Sequence, residues 1–285
     1  MHSFFEKIKS TLNLLLKSST PESSHFGIII RFLSWQLFKR LFNHSLTYTL
    51  IPGVKVRCHP DSSSASSVIY YGLYEYDMMK FLLKYLRETD IFIDVGANIG
   101  VYSLLASSRI KDGHIYALEP IPKNYSRLQE NLELNSIKNA TAYPLAAFSS
   151  KNIVFMDLAD EDCMASIITE HDNKNFSVEA DTLDNLFGSL HQIKLIKLDA
   201  EGSEVSILKG SRNLLSSQSP PVFLLDYYTR DVASVLLSHG FLLYKYDAVE
   251  NKIYQINPNL EAEHASLAIH KSCIDEVKFR ILNKT

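Results

Sequence analysis

The chain has 285 residues, of which 46% are hydrophobic and 21% charged, and this composition excludes a collagen-like, wholly disordered or disulfide-scaffold protein. The length suits one large domain or two small ones. With 29 basic and 32 acidic side chains the net charge is −3, which gives no reason to expect nucleic-acid binding. The cysteines Cys58, Cys163 and Cys273 form no CxxC pair, so we expect free thiols in a reducing, cytoplasmic compartment rather than a zinc site or disulfides.

The first 43 residues are more basic than the rest. They hold six basic and two acidic residues, a net charge of +4, so the remaining residues together carry −7. Within them, residues 26–42 (FGIIIRFLSWQLFKRLF) repeat apolar side chains at helical spacing, from Phe26 to Leu41. Three cations interrupt this segment, so we expect no transmembrane helix. Two interpretations remain: a helix packed on the main domain, or a basic amphipathic helix peripherally bound to the inner face of an anionic membrane.

The next predicted elements precede the first buried strand. Strands are expected within residues 47–58, on both sides of a turn at Pro52-Gly53. The serine-rich run at 61–67 (DSSSASS) is expected to form a polar loop. The apolar spacing of residues 75–87 predicts a helix.

From residue 91 onwards, short apolar strands alternate with helices. Continuous apolar runs such as IFIDV (91–95) and VFLL (222–225) are typical of central strands that are buried on both faces. The alternation predicts an α/β fold whose parallel sheet is covered by helices on both sides. The other predicted strands are 114–118, 141–147, 193–198, 241–246 and 267–270, and the predicted helices are 101–108, 123–135, 203–215 and 230–239.

The first of these strands leads into a glycine turn at residues 94–100 (DVGANIG). Gly96 lets the backbone turn sharply and lets a ligand approach without a Cβ in the way. The helix that follows offers free N–H groups at its N-terminus. Glu119 ends the next strand, where a carboxylate can accept both hydroxyls of a ribose. Together these features predict a nucleoside-type cofactor site at the carboxyl ends of adjacent parallel strands.

The turn does not suit a nucleotide phosphate. A GxGxxG pattern that begins at Gly96 would need glycines at Asn98 and Val101, and no GxxxxGK[ST] motif occurs in the chain. Asp94, just before the turn, would repel a phosphate and favours a cationic ligand. S-adenosylmethionine carries an ammonium and a sulfonium group, so its charge fits this site better.

A third acidic strand end lies within residues 197–204 (KLDAEGSE). Asp199 follows a buried strand and is therefore expected at the same edge of the sheet. Taken alone, Asp199 can cap the next helix, and Glu204 can interact with the dipole of that helix. Three acidic strand ends in register, at Asp94, Glu119 and Asp199, favour a shared site instead.

These segments resemble the FkbM-type S-adenosylmethionine-dependent methyltransferases. The resemblance covers roughly residues 54–240 and rests on FIDVGANIG (92–100), LEPIPKNYSRLQENLELN (118–135), DTLDNLF (181–187) and LIKLDAEGSEVSILKG (195–210). It implies a Rossmann-like class I methyltransferase fold, with a seven-stranded, mostly parallel sheet whose last strand is antiparallel. It also implies methyl transfer from S-adenosylmethionine, usually to a hydroxyl oxygen of a sugar, glycan, lipid-linked glycan or secondary metabolite.

The resemblance implies roles for individual residues as well. Glu119 would bind the ribose of the cofactor. Asp199 and Glu201 would lie at the edge of the site that faces the methyl group and the acceptor. The pocket for the methionine part of the cofactor would be formed by Asp94, Gly96, Asn98 and Gly100.

Two positions depart from the family pattern. Ser149 stands near the place where relatives often have an acidic residue that bonds the adenine amine, so a hydroxyl would have to serve there. Asp226, followed by two tyrosines, stands where the family often has a glutamate with a nearby histidine. This second departure concerns the acceptor side of the site.

An alcohol acceptor also has to lose its proton, which calls for a base near the reacting oxygen. The candidates are Asp199 and Glu201, with Asp226 and Glu75 behind them. A divalent ion held by such carboxylates can activate the hydroxyl instead, and no metal ligand is assigned. Tyr74 belongs to an aromatic cluster that can stack on a sugar face.

The prediction is therefore an O-methyltransferase of a small-molecule or glycan acceptor. The alternatives are an inactive, membrane-associated methyltransferase-like scaffold and a nucleotide-sugar oxidoreductase or epimerase, against which the missing GxGxxG argues. We divide the chain into a basic amphipathic helical extension (1–45), strands and a helix that cap the active site (46–88), and the cofactor-binding methyltransferase domain (89–285).

Overall fold

The computed structural model of the chain describes Pro21 and residues 24–42, 44–158, 165–168, 176–257 and 264–283. Cys163 lies outside the described residues, whereas Cys58 and Cys273 are free, buried thiols. The chain forms two compact units, of which the first ends at Tyr76 and the second begins at Asp77. The segment boundaries expected near residues 45 and 88 stay predictions.

The first unit contains two helices and a hairpin. Strands β1 (Leu46–Ile51) and β2 (Val54–Cys58) pair antiparallel around the predicted turn, where Gly53 adopts a φ of +84°. Helix α1 (His25–Leu41) precedes the hairpin, and helix α2 (Ser63–Tyr71) follows it. The strands predicted at 47–58 are therefore confirmed.

Helix α2 corrects the prediction of a polar loop at 61–67. The hydroxyl of Ser62 accepts a hydrogen bond from the backbone N–H of Ala65, which caps the helix at its N-terminus. Ala65, Val68 and Ile69 are buried, so the packing of one helix face outweighs the weak helix propensity of the serines. The composition of the segment showed the serines but not this packing.

Helix α1 is attached to α2 by the face that carries Trp35. The Trp35 Nε1–H donates to Ser66 Oγ at 2.9 Å, and Gln36 Nε2 donates to the Tyr70 hydroxyl at 3.0 Å. Ile28 and Trp35 are the buried residues of the helix. Among the described residues, no helix combines the length and the apolar character that crossing a membrane requires. The apolar positions that showed the helical spacing in the sequence are exposed instead: Phe26, Ile30, Leu33, Leu37 and Leu41.

The remaining elements build the second unit around a large sheet. In chain order the helices are α3 (Tyr76–Tyr85), α4 (Val101–Ser107), α5 (Pro122–Leu134), α6 (Leu183–Phe187), α7 (Glu204–Lys209), α8 (Arg212–Leu215), α9 (Arg230–Ser238) and α10 (Ile274–Leu282). The strands are β3 (Ile91–Val95), β4 (His114–Leu118), β5 (Ala140–Tyr143), β6 (Ala146–Ala147), β7 (Asn152–Leu158), β8 (Ala165–Ile168), β9 (Phe176–Asp181), β10 (Ile193–Leu198), β11 (Val222–Tyr227), β12 (Phe241–Asp247), β13 (Lys252–Gln255) and β14 (His264–His270). Among the described residues the large sheet has eight strands, in the order β13-β12-β14-β11-β10-β3-β4-β5.

The large sheet confirms the predicted α/β fold. Strands β5, β4, β3, β10 and β11 run parallel, and β14 lies antiparallel between β11 and β12. These seven strands match the predicted sheet with an antiparallel last strand. Strand β13, which forms a hairpin with β12, is an additional edge strand that the prediction of seven strands omitted.

A second sheet was not predicted. Within the described residues it has four strands in the order β6-β9-β7-β8, and its β7–β9 and β7–β8 pairs are antiparallel. The run 141–147, which was predicted as one strand, is divided between the two sheets, because β5 pairs with β4 whereas β6 pairs with β9. The small size of these two strands left no separate signal in the sequence.

The helix predicted at 203–215 is broken into α7 and α8. Gly210 lies between them, and its carbonyl accepts a hydrogen bond from Asp184 N at 3.1 Å. A Cβ on Gly210 would approach the Phe148 carbonyl oxygen to 2.3 Å. The chain therefore needs glycine at this point, and the close approach of the two backbones ends the first helix.

A buried ion pair ties α10 to the start of β3. Arg280 Nη1 lies 2.6 Å from Asp90 Oδ2, and both residues are largely shielded from solvent. We expect Arg280→Ala to lower the free energy of unfolding by about 3–5 kcal/mol, because it leaves a buried carboxylate without its cation. Urea unfolding followed by circular dichroism measures the change. The exposed Lys151, 3.7 Å from Asp181, provides the control, since Lys151→Ala should change that free energy by at most about 1 kcal/mol. Equal changes in the free energy of unfolding for the two variants would contradict the conclusion that the buried pair of Arg280 and Asp90 stabilises the fold.

Candidate cofactor and acceptor site

The candidate site lies at the point where the strand order of the large sheet changes direction. From β3 the sheet continues through β4 to β5 on one side, and through β10 to β11 on the other. In open α/β sheets, ligands bind outside the carboxyl ends of the strands at such a switch point. The carboxyl ends of β3, β4, β10 and β11, together with the segments that follow these strands, hold eight of the predicted site residues.

Gly96 joins three of these strand ends. Its backbone N–H donates to the Leu118 carbonyl at the end of β4, at 3.0 Å. Its φ is +74°, and a Cβ at this position would lie 1.8 Å from the carbonyl oxygen of Asp199, which follows β10. A side chain is therefore excluded both by the backbone conformation and by the space. The predicted need for glycine is explained by this contact between two strand ends.

Glu119 holds the glycine turn from the side of β4. Its Oε2 accepts the Asn98 N–H at 2.7 Å, and its Oε1 accepts the Ile121 N–H at 2.8 Å. Asn98 and Gly100 have φ values of +51° and +89°, so the turn has the irregular backbone that its glycines predicted. Burial raises the pKa of Glu119 to about 7, although these two backbone N–H groups favour the ionised form.

Asp94 is buried beneath the turn. Its Oδ2 accepts hydrogen bonds from the Ser103 backbone N–H at 3.0 Å and from the Ser103 hydroxyl at 2.7 Å. Its Oδ1 is buried without a hydrogen-bond partner. Burial raises the pKa of Asp94, and the nearby Lys197 opposes this shift. Asp94 thus has a structural contact with α4 in addition to the cofactor role that was predicted.

Lys197 is a site residue that the sequence did not single out. It is buried on β10, its Nζ lies 2.7 Å from Asp199 Oδ2, and it lies over the Tyr102 ring at 4.9 Å from the centroid. Asp199 is therefore the anionic half of an ion pair. Asp199 does not cap α7, whose N-cap residue is Ser203 and which has no side-chain cap hydrogen bond. The Oε1 of Glu204 accepts the N–H groups of Ala200 and Gly202, just before the helix, at 3.1 and 3.3 Å.

The segment after β10 and the last two residues of β11 line an open cavity. Its volume is about 290 Å³. Glu201 lies here with a φ of +46°, a left-handed conformation that is uncommon outside glycine. Burial, and then the charges of Asp199 and Asp226, raise the pKa of the Glu201 carboxyl. The residues that line the cavity are Asp199, Glu201, Gly202, Glu204, Asp226 and Tyr227.

The other predicted site residues are not placed in this cavity. Ser149 is exposed and follows β6 of the smaller sheet. Tyr74 and Glu75 belong to the first unit, between α2 and α3. Their roles toward adenine and acceptor stay predictions. Within the described residues, no three His, Cys, Asp or Glu side chains are grouped so that they could hold a metal ion.

Asn131 is a second residue that sequence reasoning missed. It is fully buried on α5, and its Nδ2 donates to the Ile99 carbonyl in the glycine turn at 2.8 Å. Its position between the buried Leu128 and Leu132 offered a signal, because a polar side chain on an apolar helix face needs a partner. For Lys197 the signal was a cation within a buried strand.

The residues present fit S-adenosylmethionine. Gly96 adds no side-chain atom to the turn, and each Glu119 oxygen keeps acceptor capacity for a ribose hydroxyl. Asp94 supplies a buried oxygen without a hydrogen bond, and the acidic surroundings favour a cationic ligand. Glu119, Asn98 and the backbone of the turn would hold the cofactor.

The raised pKa of Glu119 predicts a pH-dependent affinity for the cofactor. Ribose hydroxyls donate to the carboxylate, so binding favours the ionised form. The dissociation constant should therefore fall about tenfold from pH 6 to pH 8 and level off above about pH 8. The folded chain holds a proton that the unfolded chain releases. This group's contribution to the free energy of unfolding therefore decreases as the pH rises from about 4.5 to about 7.

Titration calorimetry at several pH values measures this dependence. Glu119→Gln should weaken binding and remove its pH dependence. The exposed Glu179 offers a matched control, because Glu179→Gln should leave the wild-type profile unchanged. A wild-type affinity that does not vary over this range would contradict the role of Glu119.

Known proteins resemble part of the chain. The chain is 29% identical over 147 residues to the hexuronic acid methyltransferase AglP of Haloferax volcanii. The aligned residues make up 50% of this chain and 59% of that protein. The chain is 25% identical over 149 residues to methyltransferase 1 of Beauveria bassiana, with 43% of this chain and 59% of that protein covered. The chain therefore matches less than two thirds of the length of these curated relatives.

Solved methyltransferase structures are also similar to the chain. The precorrin-6y C5,15-methyltransferase of Geobacter metallireducens has a TM-score of 0.45 and 17% identity, and covers 79% of this chain and 100% of its own. The M. jannaschii TYW2 in complex with AdoMet has a TM-score of 0.46 and 11% identity, and covers 80% of this chain and 85% of its own.

A family model extends over most of the candidate site. The model of the methyltransferase FkbM domain matches residues 94–243, more than half of the chain. The match contains the glycine turn, Glu119 and the segment from Asp199 to Glu204. It confirms the family predicted from the sequence, and with it the cofactor, S-adenosylmethionine. The chain belongs to the FkbM family of methyltransferases.

Proposed function

We propose that the chain transfers the methyl group of S-adenosylmethionine to a hydroxyl oxygen of a sugar, within a glycan, a glycolipid or a secondary metabolite. The observation that carries this proposal is the position of Glu201. Its carboxyl lines an open cavity directly after the strand whose end contacts the cofactor turn. A base beside an open cavity is what an alcohol acceptor requires.

The chain's own residues have to position the two reactants. When it is bound, S-adenosylmethionine supplies a methyl group on a positively charged sulfur. Glu119 and the Gly96 turn would fix the cofactor at the switch point, while the residues after β10 and β11 fix the acceptor. Methyl transfer depends on alignment of acceptor, methyl group and leaving group, so this positioning supplies a large part of the rate enhancement.

Glu201 is better suited than Asp199 to accept the proton of the acceptor hydroxyl. Asp199 is engaged in an ion pair, because its Oδ2 lies 2.7 Å from the ammonium of Lys197 and is therefore not free to contact an acceptor hydroxyl. Glu201 has a raised pKa because burial and neighbouring carboxylates disfavour its charge, so it holds a proton more readily. Its left-handed backbone costs about 1–3 kcal/mol, and such strain is concentrated at functional sites. We assign Glu201 as the general base and Asp199 as a positioning residue.

The charges around the cavity favour an acceptor without a carboxylate. Four acidic side chains line it, and Lys197 neutralises one of them. An anionic sugar would meet like charges here, whereas a neutral or basic sugar would not. The relative named a hexuronic acid methyltransferase supports a sugar acceptor. We infer that this chain takes neutral or amino sugars in preference to uronic acids.

Transfer of a labelled methyl group tests this proposal. The full chain is incubated with labelled S-adenosylmethionine and with matched glycans that carry either glucose or glucuronic acid. We expect label in the neutral glycan, on an oxygen, with at least about tenfold less transfer to the uronic acid. Preferential labelling of the uronic acid would overturn the acceptor assignment. Label found only on nitrogen or carbon would overturn O-methylation.

A further inference from the structure

Helix α1 presents an exposed apolar face. This face consists of five side chains whose exposed fractions lie between 47% and 74%. At the α-helical spacing of about 100° per residue they fall within an arc of about 80°, and they extend over about 22 Å of helix length. The exposed apolar face is formed by Phe26, Ile30, Leu33, Leu37 and Leu41.

The opposite side of α1 is fixed by packing within the first unit. Ile28 and Trp35, about half a turn away from the exposed apolar face, are buried. The hydrogen bond from Trp35 to Ser66 and the ring contact between Phe32 and Tyr70, with centroids 5.4 Å apart, attach the helix to α2. The helix cannot turn its apolar face inward without breaking these contacts.

The charge of α1 is of one sign. The helix carries Arg31, Lys39 and Arg40 and has no acidic residue from His25 to Leu41. Arg40 is exposed and lies beside the exposed apolar face. Lys39 lies on the other side of the helix, with its Nζ 5.9 Å from the centroid of the Trp35 ring. A surface that offers apolar side chains bordered by a cation, on a helix without acidic residues, is complementary to an apolar phase that is bordered by anions.

We propose that the exposed apolar face of α1 binds an anionic lipid bilayer. The five apolar side chains enter the boundary between headgroups and acyl chains, and Arg40 contacts a lipid phosphate. The helix lies along the surface, in agreement with its length and its interrupted hydropathy. A second copy of the chain is a poorer partner, because two such faces in contact would bring their cations together. This inference concerns the first unit and does not depend on the methyl-transfer reaction.

Flotation of the full chain with lipid vesicles tests this inference. The vesicles consist of phosphatidylcholine alone, or contain about 30% phosphatidylglycerol. We expect binding to the anionic vesicles, at least about tenfold weaker binding to the neutral ones, and release by high salt. Arg40→Gln should weaken binding to anionic vesicles and leave binding to neutral vesicles unchanged.

A pair of double variants separates the exposed apolar face from general surface hydrophobicity. Leu33→Ser/Leu37→Ser removes two side chains that are 58% and 57% exposed, and should weaken vesicle binding at least about tenfold. Phe279→Ser/Leu282→Ser removes two side chains of α10 that are 66% and 65% exposed, and should leave binding unchanged. Both variants should keep the wild-type melting temperature, since the four side chains are exposed.

Three results would overturn the inference. The first is a folded chain that does not float with anionic vesicles. The second is equal binding by both double variants. The third is a wild-type chain that self-associates, as detected by light scattering, and does not bind vesicles, while Leu33→Ser/Leu37→Ser is monomeric. That result would show that the exposed apolar face binds a second copy of the chain.

Discussion

Replacement of Gly96 by alanine is expected to weaken binding of S-adenosylmethionine at least about 100-fold. The new Cβ would lie 1.8 Å from the Asp199 carbonyl oxygen, so the two backbones would have to separate. Gly96 also donates its N–H to Leu118, and the movement would therefore displace the turn relative to Glu119. Titration calorimetry on the variant measures the loss.

Gly53→Ala is the matched control for this variant. Gly53 has a similar φ of +84°, but nothing lies within 4 Å of the position of its Cβ. Gly53→Ala therefore introduces the backbone strain of the substitution, about 1 kcal/mol, but no steric clash of the new Cβ with a neighbouring backbone. Gly53→Ala should therefore retain wild-type affinity. Wild-type affinity in a folded Gly96→Ala chain would show that the turn does not form the cofactor site.

Replacement of Glu201 by glutamine is expected to lower kcat at least about 100-fold. The amide keeps the size of the side chain but cannot accept the proton of the acceptor hydroxyl. Affinity for S-adenosylmethionine should change little, because the cofactor contacts are assigned to Glu119 and the glycine turn. Turnover with the labelled methyl donor and calorimetry on the same preparation separate the two effects.

Asp226→Asn and Asp199→Asn complete this experiment. Asp226 lines the same cavity, and Asp226→Asn should lower kcat less than about tenfold, since it is not the base. For the wild-type chain, kcat/KM should rise with pH and reach a plateau as the base ionises, whereas Glu201→Gln should lack this rise. A Glu201→Gln chain with normal kcat, beside an inactive Asp199→Asn, would move the base to Asp199.

The grouping of site residues at the carboxyl ends of the parallel strands was predictable, because short sequence patterns indicate both the strands and the residues that follow them. Continuous apolar runs mark β3, β10 and β11 as buried parallel strands, and parallel strands bring their carboxyl ends to one edge. Gly96, Glu119 and Asp199 therefore had to lie near one another. Their hydrogen bonds and the backbone contact between Gly96 and Asp199 required the three-dimensional arrangement.

Other features depend on contacts between distant segments. Lys197 resembles an ordinary strand cation until its pairing with Asp199 and its contact with Tyr102 are seen. The smaller sheet assembles from short strands, and α2 forms because one face of a serine-rich segment is buried. In α1 the apolar spacing was visible, but the face that packs is the one that carries Trp35.

Calorimetric titration of the full chain with S-adenosylmethionine and S-adenosylhomocysteine tests the central claim most directly. We predict saturable binding of both compounds at one site per chain. Asp94 is a poor choice for the first variant, since its carboxylate also holds Ser103, so the wild-type titration comes first. A chain that is folded by circular dichroism and binds neither compound would contradict the account and favour a scaffold without methyltransferase activity.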